Sequence, residues 1–200
     1  MIDLAPINLS EVNLKTLVHL HKASYPSYLL TSKFNERMLG LFYKNLLEYS
    51  PKSYLIRVNG VDAGIIIGST QASQARQKFI KSNMMSLIAT LILNPQFIVK
   101  KLLSLSFFNS GFETKYNFRL VNLLIDRQQL ENLGLTKQEN RSVTLNAVSL
   151  WENMLRADGI FSYGHSIDRR NLKAINFYLK NGCRIEHITK GSVSMFKKLN

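Results

Sequence analysis

Carboxylates are scarce in this chain: 13 Asp and Glu stand against 26 Lys and Arg, giving a formal charge of +13 and a pI near 9.9. That balance gathers anionic partners, among them nucleotides, coenzyme A, nucleic acid and acidic lipid heads, without selecting one. Cysteine is nearly absent, and the single thiol, Cys183, excludes an internal disulfide. No cationic start precedes an apolar signal segment, so a reducing, cytoplasmic compartment is expected. No apolar run reaches the roughly 20 residues that span a bilayer, because Asn94-Pro95 divides MMSLIATLIL from FIVKKLLSLSFF. The histidines His19, His21, His165 and His187 are dispersed, with no Cys or carboxylate at metal-ligand spacing, and no metal site is expected. Neither a nucleophile elbow nor a Walker loop is present. No nucleic-acid recognition motif accompanies the positive charge, which makes a nucleic-acid partner the weakest of the anionic candidates.

What remains is an unbroken series of helix and strand patterns, without repeats or low-complexity linkers, over 200 residues of 46% hydrophobic content. That length suits one domain with a substantial core. Residues 5–8 read as a short first strand. Apolar spacing over 11–22 (Leu14, Leu17, Val18, His21) and 34–49 (Met38, Leu39, Phe42, Leu46) predicts two amphipathic helices joined by SYPSYLLTS. Asn59-Gly60 between the β-rich runs 54–58 and 61–68 predicts a type I′ hairpin. A strand over 116–125, a helix over 138–157, a strand over 160–167, a helix over 171–181 and a strand pair within 183–198 complete the order.

The helix over 171–181 carries the most specific pattern. Asn171 is a good N-cap, Gly182 falls where the helix should stop, and Ala174 and Tyr178 follow Asn171 by three and seven places on one face, with Phe177 beside them. This Asn, Ala, Phe-Tyr, Gly spacing resembles the last catalytic helix of the GNAT superfamily of acyl-CoA N-acyltransferases, and the order of elements is similar to theirs. The resemblance implies an α/β (α+β) fold with a mixed, mostly antiparallel sheet flanked by helices and splayed between its fourth and fifth strands. It implies acetyl transfer from acetyl-CoA, bound in the splay, to a primary amine by direct attack. A backbone amide of the 116–125 strand would polarise the carbonyl, and Tyr178 would protonate the leaving thiolate.

In that family a Gln or Arg, x, x, Gly, x, Gly or Ala loop cradles the pyrophosphate of coenzyme A. The match taken here is Gln138, Glu139, Asn140, Arg141, Ser142, Val143, in which Arg141 and Val143 replace the glycines. The resemblance makes Gln138, Asn140, Arg141, Ser142, Val143, Asn171, Ala174 and Phe177 the cofactor-side residues, and Tyr25 and Tyr28 of SYPSYLLTS the acceptor-side ones. The glycine-poor loop leaves open an alternative, a non-catalytic acyl-CoA-binding or membrane-surface interaction protein. The ending GCRIEHITKGSVSMFKK is similar to those of transferases that N-acetylate nucleotide-linked amino sugars in bacterial surface-polysaccharide pathways.

Two further groups carry alternatives. His165 is a base in the acceptor cleft or a structural histidine. Asp126 is a proton acceptor or a turn and capping residue. The segment from Ser69 to Phe112, an insertion into a minimal GNAT order, has no acidic residue but carries Arg76, Lys78, Lys81, Lys100 and Lys101. It is expected to be helical over about 70–110. It either packs on the domain or a second subunit, or lies on an anionic membrane surface.

Overall fold

The computed structural model describes residues 1–7, 14–97 and 117–199. Its elements are β1 (Ile2–Pro6), α1 (Leu14–Ser24), a 3-10 turn (Leu30–Lys33), α2 (Glu36–Glu48), β2 (Lys52–Val58), β3 (Val61–Ser69), α3 (Ala72–Ser82) and α4 (Met84–Ile92). They continue as β4 (Arg119–Ile125), α5 (Arg127–Asn132), α6 (Lys137–Ala157), β5 (Ser162–Asp168), α7 (Leu172–Lys180), β6 (Arg184–Ile188) and β7 (Ser192–Lys198). The strands form one seven-stranded sheet in the order β1-β2-β3-β4-β5-β7-β6. Only β4 and β5 run parallel; every other pair is antiparallel.

Local chemistry explains the individual elements. Asn59 (φ 53°) and Gly60 (φ 81°) both take the left-handed conformation that a type I′ turn requires, so the β2–β3 hairpin forms where Asn-Gly stands. Asn35 caps α2 by accepting the Met38 N–H at 2.8 Å, and the stripe Met38, Leu39, Tyr43, Leu46, Leu47 turns inward. One sheet face carries α1 and α2 over Ile65 and Ile67. The other carries α6 and α7 over Ile56, Ile66, Leu120 and Tyr163, with Trp151 fully enclosed. Covered on both sides, β3 loses the polar alternation of a half-exposed strand: Ala63 through Ser69 are all buried. Gly68 is needed there, because a Cβ would stand 2.6 Å from both Phe118 and Trp151 ring atoms.

Several sequence expectations shift. The first strand lies at Ile2–Pro6 and not at 5–8; its register, Ile2 with Val58 through Pro6 with Tyr54, sets Ile2 and Leu4 against the core, and Pro6 sits at the end of an edge strand, where no ladder donor is needed. The first helix runs to Ser24, and residues 8–13 lie outside the described ones. The 116–125 strand is described from Arg119. The insertion is helical through α3 and α4, while 98–116, with Lys100 and Lys101, lie outside the described residues. Helix α5, which Asp126 starts, has no counterpart among the sequence expectations.

Candidate active site

The site begins with a defect in the sheet. Between β3 and β4 the register passes from Ile67 opposite Asn122 to Gly68 opposite Leu120, so Val121 is an extra residue that belongs to no pair. Such a bulge bends a strand and leaves backbone groups outside the ladder. Beyond it β4 and β5 part: they share one pair, Arg119 with Gly164, and the Gly164 N–H donates to the Phe118 carbonyl at 3.1 Å. From that point to Ile125 and Asp168, about 20 Å of β4 and about 13 Å of β5, the two strands form no further pair. Past that pair the ladder between these two parallel strands stops, which leaves a split, or slot, in the sheet toward their carboxyl ends.

Helix α7 packs on the same sheet face as α6, with Tyr178 against His165 of β5. The Asn171 side chain accepts the Ala174 N–H at 3.1 Å, and Gly182, at φ 81°, ends the helix. Asn171, Ala174, Phe177 and Tyr178 therefore share the face turned to the sheet, as their spacing predicts. Tyr178 is 7% exposed, and its ring centroid lies 4.0 Å from that of His165. Burial, followed by the negative potential of Cys183 and Glu152, pushes its phenol well above the usual value. Tyr178 thus stays protonated, and its hydroxyl makes no hydrogen bond among the described residues.

His165 occupies an inward position of β5, between Tyr163 and Ile167, where an apolar residue would pack equally well. Neither ring nitrogen has a hydrogen-bond partner among the described residues, and burial lowers its pKa to about 3. Burial disfavours the charged imidazole, and its packing against Tyr178 fits the structural alternative. Asp126 is also spoken for: 3% exposed, it caps α5 by accepting the Gln129 N–H at 3.0 Å and lies 3.4 Å from His19 Nε2. The capping alternative is the one its geometry fits.

The largest revision concerns residues 138–143. They are not a loop but the first two turns of α6, whose N-cap is Thr136. Thr136 and Glu139 form a reciprocal capping box, with the Glu139 carboxylate accepting from the Thr136 N–H (2.7 Å) and hydroxyl (2.8 Å). Asn140 (6% exposed) and Val143 (3%) face the interior, Val143 packing with Val58, Ala63 and Leu130, and Val143 also lines a shallow surface pocket with Gly134, Leu135, Glu139 and Ser142. Gln138, Arg141 and Ser142 are exposed on the outer side, with the Ser142 hydroxyl donating back to the Gln138 carbonyl at 3.3 Å. The loop before the helix is Leu133-Gly134-Leu135-Thr136, with Gly134 at φ 79°. The Thr-x-x-Glu spacing is the sequence signal that locates it.

Across the mouth of the slot, the segment after α1 meets the β5–α7 connection. The Arg170 guanidinium lies 4.3 Å above the Tyr28 ring and binds Asp168 through two nitrogens at 2.8 and 2.6 Å. Tyr25 stacks on His21 at 4.1 Å. His21, fully buried, shares a hydrogen bond with the Tyr43 hydroxyl at 2.9 Å, and burial lowers its pKa to about 4. Both Tyr25 and Tyr28 are thereby brought to the end of β5, a juxtaposition with Arg170 and Asp168 that no local pattern announces. Beneath α7, Lys197 Nζ contacts both Glu152 oxygens (2.7 and 2.8 Å) and Tyr163 donates to Glu152 at 2.7 Å, tying α6, β5 and β7 together. No cluster of metal-ligating side chains occurs among the described residues.

No family model and no curated protein matches this chain. Solved structures do. An acetyltransferase from Thermus thermophilus shares 14% identity at a TM-score of 0.60, over 100% of this chain and 97% of that one. Arylalkylamine N-acetyltransferase 2 from Aedes aegypti shares 12% at 0.60, over 100% and 99%. The PaiA N-acetyltransferase of Thermoplasma acidophilum, solved with coenzyme A, shares 13% at 0.52, over 99% of each chain. The fold is that of the GNAT acetyltransferases: an open, mostly antiparallel sheet of seven strands flanked by helices and split between β4 and β5.

Proposed function

We propose that this protein is an N-acetyltransferase that moves the acetyl group of acetyl-CoA to a primary amine. The observation that carries the reading is the pairing of the β4 bulge and β4/β5 slot with a protonated, uncommitted Tyr178 on the helix along the slot. In this reading the acetyl carbonyl accepts a hydrogen bond from a β4 N–H released by the bulge, and the neutral amine attacks the carbonyl carbon. The C–N bond forms, the C–S bond breaks, and the departing thiolate takes the Tyr178 proton. The amine nitrogen releases its extra proton to water, from which the phenolate is restored. Asn171, Ala174 and Phe177 flank the pantetheine. The pyrophosphate sits by Gly134, Thr136 and the first amides of α6, within reach of Gln138, Arg141 and Ser142.

Tyr25, Tyr28, Arg170 and Asp168 frame the acceptor side. The strong basic excess favours an acceptor that itself carries phosphate, such as a nucleotide-linked or lipid-linked amino sugar. A second reading, coenzyme A binding without transfer, is favoured by one observation: the Glu139 carboxylate occupies the helix start at which an anion would bind. Calorimetry with coenzyme A and acetyl-CoA, followed by thiol release with a panel of amines and amino sugars, separates the two. Binding with no release on any amine supports the second reading. No heat from a folded sample overturns both.

A further inference from the structure

We propose that α4 is the surface by which this protein rests on an anionic phospholipid bilayer. It is the only α-helix among the described residues that buries none of its side chains. Met84, Met85, Ile88 and Ile92 are 53, 78, 43 and 66% exposed, and Leu93, just past its end, 80%. Positions 84, 88 and 92 recur at helical spacing, so they line one stripe, with Met85 alongside. The opposite edge anchors the helix: Leu87 packs on the cluster of Phe34, Met38 and Phe79, and the Thr90 hydroxyl lies 3.5 Å from the Met38 sulfur. The exposed stripe is thus held outward by an ordered contact and is not a frayed end. Helix α6 also exposes Leu145 and Leu150, and α7 exposes Leu172 and Leu179, but each of those helices has buried apolar residues as well, and α4 has none.

Charge selects the occupant. No carboxylate occurs from Ala63 to Phe112. Helix α3, separated from α4 by Asn83 alone, exposes Arg76, Lys78 and Lys81. Lys78 is engaged by Glu48 of α2 at 2.5 Å, whereas Lys81 has no carboxylate partner among the described residues. An apolar stripe beside a carboxylate-free basic helix complements a layer whose surface is anionic and whose interior is hydrocarbon. The nine residues of α4 extend about 14 Å, less than half the roughly 30 Å of a bilayer core. No helix among the described residues is long and apolar enough to cross a membrane. The geometry is that of a helix lying in the interface.

The inference is independent of acetyl transfer, and its test reads the two separately. Full-length protein should float with vesicles of phosphatidylglycerol and phosphatidylcholine at low salt, far less with phosphatidylcholine alone, and be released by added salt. Met85→Ser combined with Ile92→Ser, both at exposed positions, should lower the bound fraction about tenfold while coenzyme A affinity stays at the parental value. Lys81→Glu, which leaves the stripe intact, should lower it about threefold at low salt. Failure to float with anionic vesicles, or equal flotation of the double variant, overturns the proposal. A dimer in light scattering that the double variant dissolves also overturns it, assigning the stripe to a second copy of the chain.

Discussion

Helices α6 and α7 both start near the carboxyl ends of the parted strands, yet their first turns are chemically opposite. Helix α7 opens with a neutral cap, Asn171, beside Arg170. Helix α6 opens with a capping box that holds the Glu139 carboxylate against the Thr136 N–H. An anion arriving at α6 therefore competes with a side chain already in place, while one arriving at α7 meets no negative charge in the first turn. The two starts teach that the same backbone device, a helix N-terminus, is presented open or occupied according to one side chain three residues in. Their inner faces differ too. Glu152 on α6 is locked by Lys197 and Tyr163, whereas Tyr178 on α7 keeps an uncommitted hydroxyl.

The largest effect expected lies on the α7 side. Tyr178→Phe keeps the ring's packing and removes the donor, so turnover should fall by about 10² to 10⁴ with little change in acetyl-CoA affinity. Both are measured on purified variant and parent. Near-parental turnover would pass the proton-donor role to water, and the contrast between the two inner faces would lose its meaning.

Next in size is a pH effect from two buried histidines, His165 beside that helix and His21 on α1 at the other sheet face. His165 and His21 are neutral in the folded state, with pKa values lowered to about 3 and about 4 by burial, against 6.5 in the unfolded chain. Below pH 6.5 the unfolded state binds the extra protons, so stability falls as pH decreases toward those values, by up to about 1.4 kcal/mol per pH unit for each histidine. Urea midpoints between pH 7 and pH 5 should show the decline, and His165→Leu should remove about half of its slope. An unaltered slope in that variant would place the titration elsewhere.

The start of α6 supplies the third contrast. If the pyrophosphate lies there, Glu139→Gln should tighten coenzyme A by about three- to tenfold and Arg141→Ala should weaken it by a similar factor. Dephospho fragments lacking the pyrophosphate should show neither change. Equal affinities throughout would move the phosphates away from α6. The smallest effects are structural: Asn171→Ala and Thr136→Ala should each cost about 1 kcal/mol in urea unfolding through loss of a cap. A much larger loss at Asn171 would mean that its side chain supports the slot as well as the helix.

Local patterns make most of the fold legible. Asn59-Gly60 determines the hairpin because only such residues take two consecutive positive φ angles cheaply, and the Asn171, Ala174, Tyr178, Gly182 spacing determines where α7 starts, which face it buries and where it stops. Thr136 and Glu139 are equally legible as a capping box, yet a motif defined by glycines finds its match one turn further on, inside the helix and past Gly134.

Other features have no local signature. The bulge at Val121 depends on how β4 pairs with β3, and the meeting of Tyr28 with Arg170 joins positions 142 residues apart, counted from 28 to 170. The roles of His165 and Asp126 are undecidable from residue type, because whether an imidazole or a carboxylate works as a base depends on the water and partners around it. Sequence alone determined the order of the main elements apart from α5, the Asn171 cap and the positive charge, since these follow from backbone preferences and composition. Tertiary structure alone decided where β4 bulges, which titratable groups are buried and which apolar stripe is left uncovered, since those properties belong to contacts between segments far apart in the chain.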